Sequence, residues 1–180
     1  MAHKEQIDFC REVKNKFPLL FKDKKVLDVG SLDINGNNRY LFENCVYTGI
    51  DIGPGRNVDI VSKAHEYNAP DGEYDVVIST ECFEHDMYYD KSINNCVRLV
   101  KSGGLFLFTC ATTGRPEHGT RRTRPEDAPL LSSNEEWSDY YKNLTEEDIE
   151  EIVLLEKYFS LHEFKINPIS CDLYFYGIKK

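Results

Sequence analysis

Four short apolar runs, at residues 26–29, 46–51, 74–80 and 105–110, each stop at a polar or glycine-bearing turn, and helical patterning lies between some of them. The run at 74–80 carries Val76, Val77 and Ile78 in succession, the mark of a strand buried on both faces, as central parallel strands are. A further short strand is expected at 58–61. Ile93, Cys96, Val97 and Val100 recur at helical spacing, so 90–101 is expected to be a helix, ended by Gly103 and Gly104. The first 22 residues read as an amphipathic helix through Cys10, Val13, Phe17 and Leu20, with Pro18 as its kink or stop. Thr145 and Asp148 form a capping box for another helix. Runs at 161–166 and 171–178, joined through Asn167-Pro168, make a terminal antiparallel hairpin. Strands alternating with helices and closing on a hairpin describe an α/β domain: a mostly parallel sheet covered by helices on both faces. In such sheets ligands sit beyond the carboxyl ends of the strands.

The 180 residues suit a single domain spanning 1–180, and 41% hydrophobic against 29% charged is an ordinary globular balance. Lys and Arg number 22 against 31 acidic residues, a net charge of −9 that speaks against nucleic acid as partner. Six scattered cysteines form no CxxC pair, and the histidines stand far apart in sequence, so no metal site is expected. The apolar run near Leu105 is too short for a bilayer and the charged start lacks a signal-peptide core, so no membrane association and a cytoplasmic location are expected. Oligomeric state is not legible.

The strand ends hold the informative residues. Asp28 closes the first run, Gly30 makes the turn, and Gly36 follows it; Asp51 closes the second. A glycine turn lets the backbone approach a ligand, and an acid at the second strand's end can accept both hydroxyls of an adenosine ribose. A nicotinamide enzyme calls for GxGxxG, yet Ser31, Leu32 and Asp33 occupy the loop and place a carboxylate where pyrophosphate would lie. An adenosine cofactor without phosphate fits better, and a sulfonium and an ammonium would both welcome Asp28 and Asp33. The plain alternative makes Asp28 a strand-end turn residue.

With VLDVGSLDING at 26–36, YTGIDIGPG at 47–55, YDVVISTECFEH at 74–85 and VRLVKSGGLFLFT at 97–109, the sequence resembles the class I, Rossmann-like S-adenosylmethionine-dependent methyltransferases, and within them the methyltransferase type 11 group. These segments cover roughly half the chain. The resemblance implies a three-layer fold with a seven-stranded sheet whose last strand is antiparallel. It also implies S-adenosylmethionine as cofactor and S-adenosylhomocysteine as product. By the same resemblance Asp28, Gly30 and Ser31, with Asn35 and Gly36, cradle the methionine moiety. Asp51 then holds the ribose, Ile52, Ala64 and His65 meet the adenine, and Thr80 and Glu81 line the methyl end. The sequence departs from the family in its Gly30–Gly36 loop and in Lys63, which stands where an acid often precedes the adenine-contacting pair.

The stretch at 111–143 is long and polar, as functional loops are, and is expected to hold substrate. Arg115, Arg121, Arg122 and Arg124 give it a local positive excess suited to an acidic acceptor; the competing reading pairs those arginines with the acidic stretch at 135–151. Arg115, Arg121, Trp137 and Tyr140 are the candidate substrate contacts, and His85 and His118 the candidate catalytic bases. No NPPY or DPPY motif follows the fourth strand, where Ser79, Thr80, Glu81 and Cys82 stand. A small-molecule acceptor bearing a hydroxyl or aliphatic amine is therefore expected. Two other readings remain: a non-catalytic domain that binds S-adenosylmethionine or a protein, and a nicotinamide-dependent reductase using Tyr176 and Lys180.

Overall fold

The computed structural model describes residues 3–132 and 134–180; residues 1 and 2 of the expected N-terminal helix, and 133 of the long loop, lie outside it. Seven strands form one sheet: β1 (Lys25–Val29), β2 (Val46–Asp51), β3 (Ile60–Val61), β4 (Tyr74–Thr80), β5 (Val100–Ala111), β6 (Phe159–Asn167) and β7 (Asp172–Lys179). Their order is β3-β2-β1-β4-β5-β7-β6, with β7 antiparallel to both neighbours. β1 to β5 pair in parallel, so the ends of β1, β2 and β4 open on one edge.

Alternation along the strands builds two cores. Val26, Val76, Ile78, Leu105 and Leu107 face one way and meet Phe9, Cys10 and Val13 of helix α1 (Lys4–Lys16). Leu27, Val77, Phe106 and Phe108 face the other way, under Ile93, Cys96 and Val97 of α2 (Tyr89–Leu99). The register keeps equivalent faces together: Phe108 pairs with Phe175, and their rings stack at 5.1 Å. In the second half of the chain come the short α3 (Pro129–Ser132), α4 (Glu146–Ile152) and α5 (Leu155–Tyr158). The capping box read from the sequence starts α4: Thr145 Oγ1 accepts from Asp148 N while Thr145 N donates to the Asp148 carboxylate.

The strand expected at 58–61 is only Ile60–Val61, and two helix boundaries differ from expectation. The first helix ends at Lys16, and Pro18–Phe21 forms a separate 3-10 turn, because the residue before a proline is pushed out of the α region; Phe17 sits at φ −129°. The second helix ends at Leu99, not at the glycines. Val100 is fully buried and already pairs with Tyr74, so β4 captures it as strand. Gly103 and Gly104 lie instead in the excursion between the pairs Tyr74↔Val100 and Val76↔Leu105. Gly103 takes φ +74° there, a left-handed turn that favours glycine. Among the described residues no helix is long and apolar enough to cross a membrane.

Candidate functional site

A cavity of about 460 Å³ opens where β1, β2 and β4 end. Gly30 follows β1 at φ +75°, and a Cβ there would come within 2.6 Å of Cys82 Cβ, so the two strand-end turns meet only because position 30 has no side chain. Ser31 beside it donates its hydroxyl to Asn57 O at 3.1 Å, which pins the loop after β1 to the turn after β2.

Asp28 is buried beneath the turn. Its carboxylate accepts from the Tyr47 hydroxyl at 2.5 Å and from Asn38 Nδ2 at 3.2 Å, and burial pushes its pKa up to about 7 against those two bonds. The same Asn38 amide donates to Thr80 Oγ1 at 3.1 Å, tying the ends of β1 and β4 together. Asp51 is clamped by backbone: Leu32 N donates to one carboxylate oxygen at 3.0 Å and Ile52 N to the other at 2.8 Å. Burial raises its pKa in spite of them. A carboxylate offers about four acceptor positions, so capacity remains for a diol in the cavity.

Glu81 begins the turn after β4 at φ +53°, a left-handed conformation that costs a non-glycine residue on the order of 1–3 kcal/mol. It is buried, accepts from Thr109 Oγ1 at 2.9 Å and faces His3 at 3.6 Å. Burial opposes its ionisation, but the hydrogen bond and charge of His3 outweigh that and hold it below the usual carboxylate range. His3 in turn reaches Asp172 at 3.0 Å.

Asp28, Gly30, Ser31, Asn35, Gly36, Asp51, Ile52, Ala64, Thr80, Glu81, His85 and Trp137 of the sequence-derived set all line the cavity. The remaining ones do not. His65 packs behind the wall between Tyr88 and Trp137, with ring centroids 4.5 and 6.4 Å away. His118 stands behind His85, edge-on at 5.0 Å. Arg115 is turned toward β7, where it pairs with Asp172 at 3.1 Å, and Arg121 is paired with Asp139 at 2.6 Å, so both cations are neutralised outside the cavity. Tyr140 also lies off the wall. Asp33, expected to attract a cationic ligand, is neutralised by Arg56 at 2.7 Å. Tyr176, the residue of the reductase reading, is buried in the core under α1 and lies off the wall as well.

The sequence reasoning missed a whole side of the cavity. Gln6, Ile7 and Arg11 of α1 line it, with Asn38 and Tyr40, and Arg11 lies over the Tyr40 ring at 5.6 Å. The signal available was Gln6, a polar residue on the helix's buried face. The long loop at 111–143, expected to hold substrate, does reach the cavity, but besides Trp137 it does so through Asp127 to Leu131, which were not among the expected contacts.

A family model described as a methyltransferase domain matches residues 1–154. No curated protein matches the chain by sequence. Among solved structures, Haemonchus contortus phosphoethanolamine N-methyltransferase 2 in complex with S-adenosyl-L-methionine aligns with a TM-score of 0.65 at 16% identity, over 96% of this chain and 52% of that one. The chain thus spans about half the length of that enzyme. A protein from Pyrococcus horikoshii OT3 aligns at 0.63 and 17% identity, over 98% and 90%. Burkholderia thailandensis 1,6-didemethyltoxoflavin-N1-methyltransferase, with bound 1,6-didemethyltoxoflavin and S-adenosylhomocysteine, aligns at 0.60 and 10% identity, over 100% and 92%. At these identities the likeness is one of fold.

Proposed function

Since the chain belongs to this methyltransferase-domain family, we propose that it moves a methyl group from S-adenosylmethionine to a small acceptor carrying a hydroxyl or an aliphatic amine. The observation that carries the reading is the pair of carboxylates, buried Asp28 and half-buried Asp51, at the ends of adjacent parallel strands on one cavity wall. Asp51, fixed by two backbone N–H groups, is oriented to accept the two ribose hydroxyls. Asp28 and the Gly30 turn suit the ammonium end of the methionine moiety, with Ser31, Asn35 and Gly36 along it. Ile52 and Ala64 supply apolar surface for the adenine, and His65 backs that wall through Trp137. Solved neighbours that hold S-adenosylmethionine or S-adenosylhomocysteine support the choice of cofactor.

Methyl transfer from a sulfonium is an in-line displacement, in which alignment supplies much of the acceleration. Thr80 and Glu81 border the methyl end, and His85 and Trp137 border the space left for the acceptor, with His118 supporting His85 from behind. Burial lowers the His85 pKa to about 3, so at neutral pH its ring is uncharged and an electron pair is available. The bound donor supplies the electrophilic methyl group; the chain's part is to orient both reactants and exclude water beneath Leu130 and Leu131. Arg115 and Arg121, held by Asp172 and Asp139, have no part in this reading.

Calorimetric titration with S-adenosylhomocysteine, against NADH and an Asp51→Ala variant, tests it. Micromolar binding that the variant loses is expected. Absence of binding, or preference for NADH, overturns the reading.

A further inference from the structure

At and behind the cavity wall the adjacent Glu84 and His85 meet a histidine from far along the chain. Glu84 and His85 come from the 3-10 turn Phe83–His85 after β4, and His118 from the long loop. One ligand atom from each lies within 4.8 Å of the others, within reach of a common ion after small rotamer changes. They are 0%, 6% and 6% exposed. Glu84 Oε1 and Oε2, His85 Nδ1 and His118 Nε2 are all buried without a hydrogen-bond partner.

The tautomer of His118 decides what this cluster wants. Its Nδ1 lies 3.1 Å from Pro116 O, and a carbonyl only accepts, so Nδ1 carries the proton and Nε2 presents a lone pair. Imidazoles that ligate metals are commonly fixed in this way through their other nitrogen. The carboxylate and His118 Nε2 therefore present electron pairs to one small buried space, on which the unpartnered His85 Nδ1 also opens. The hydroxyl of Tyr141, whose ring lies 5.5 and 5.1 Å from the two imidazoles, is itself unpartnered. A divalent cation would serve the carboxylate and the imidazole lone pairs at once. The neighbouring cluster of His3, Glu81 and Asp172 differs in its charge pairing, with His3 Nε2 3.6 Å from Glu81 and 3.0 Å from Asp172.

We propose that Glu84, His85 and His118 bind one divalent transition-metal ion, with an open coordination position toward the acceptor side of the cavity. Two imidazoles and one carboxylate suit ions of the Mn2+ to Zn2+ series and leave positions free for another ligand. Of the three only His85 lines the cavity, so it is through His85 that the site adjoins the space assigned to the acceptor. The role of the ion rests on the methyltransferase reading: it takes an acceptor hydroxyl and lowers its pKa. The hydroxyl then loses its proton to cavity water, its oxygen forms a bond to the methyl carbon, and the carbon–sulfur bond breaks with its electron pair left on a neutral thioether.

The test titrates chelator-treated protein with Mn2+, Co2+ and Zn2+ by calorimetry, follows the Co2+ absorption bands, and titrates S-adenosylhomocysteine in parallel. One equivalent of Co2+ or Zn2+ binding at micromolar concentration or tighter is expected, weakened at least about tenfold in Glu84→Gln and His118→Ala. Both variants are expected to retain S-adenosylhomocysteine binding, which also reports that they fold. S-adenosylhomocysteine binding without stoichiometric metal in the wild-type chain overturns the metal site and leaves the methyltransferase reading standing. Metal binding without S-adenosylhomocysteine binding does the reverse. Metal binding that both variants retain in full also overturns this assignment.

Discussion

The Tyr47 hydroxyl donates to Asp28 Oδ2 at 2.5 Å, so a phenol on β2 steadies the buried carboxylate at the end of β1. This bond favours the ionised carboxylate, which burial disfavours. If Asp28 meets the ammonium of the ligand, S-adenosylhomocysteine affinity rises with pH through about 7 and levels off above it. In Tyr47→Phe the carboxyl is harder to ionise, and affinity at pH 7 falls roughly tenfold, about 1.4 kcal/mol. Calorimetry across pH 6 to 8.5 on both proteins checks the shift.

The same carboxyl has an opposite effect on the free protein's stability. In the folded state Asp28 keeps its proton to about pH 7, whereas an unfolded Asp loses it near ~3.9. Between those values the folded state binds the extra proton, so stability falls as pH rises and the loss is complete above about 7. Asp28→Asn flattens this part of the stability curve. Denaturant melts at a series of pH values measure the slope.

Asp51→Ala removes the clamped carboxylate and leaves the Leu32 and Ile52 N–H groups without their acceptor. A loss of about 1.5–3 kcal/mol is expected in S-adenosylhomocysteine binding, roughly 10- to 150-fold. Arg121→Ala, which breaks only an exposed pair with Asp139, is expected to change affinity less than about twofold. Equal losses in the two variants would contradict the assignment.

Gly30→Ala forces φ +75° on a residue with a Cβ and drives that atom toward Cys82. The left-handed conformation alone costs roughly 1–2 kcal/mol. A fall in Tm of about 2–8 °C follows for a chain of this size. Thermal melts followed by circular dichroism read this directly, and Cys82→Ala does not rescue it, because the Cys82 Cβ itself is in the way at 2.6 Å.

The strand ends were legible because the signal there is local. A buried strand needs consecutive apolar residues, its turn needs glycine, and the acids of β1 and β2 stand at the boundary between the two. Parallel pairing then brings every such boundary to one edge, so Asp28, Gly30, Asp51, Thr80 and Glu81 could be assembled into one site without coordinates. The capping box at Thr145 was readable for the same reason, since both partners lie within one turn.

Long-range packing decided the rest. Periodicity identified α1 as amphipathic, but only its seating on the sheet puts Gln6, Ile7 and Arg11 against the cavity. The charge of the long loop was plain, but its arginines find acids at Asp172, Asp139, Glu117 and Asp127, because a nearby carboxylate neutralises a cation more cheaply than an open cavity does. His118 and His85 are distant in sequence, and no spacing rule joins them; the path of the loop brings the rings to 5.0 Å. The sequence by itself determined the order of the strands' chemistry and the acids at their ends, because hydrophobic alternation and turn residues act over a few positions. Only the tertiary structure decided which side chains face one another across the cavity and behind it, because burial and pairing depend on the whole chain at once.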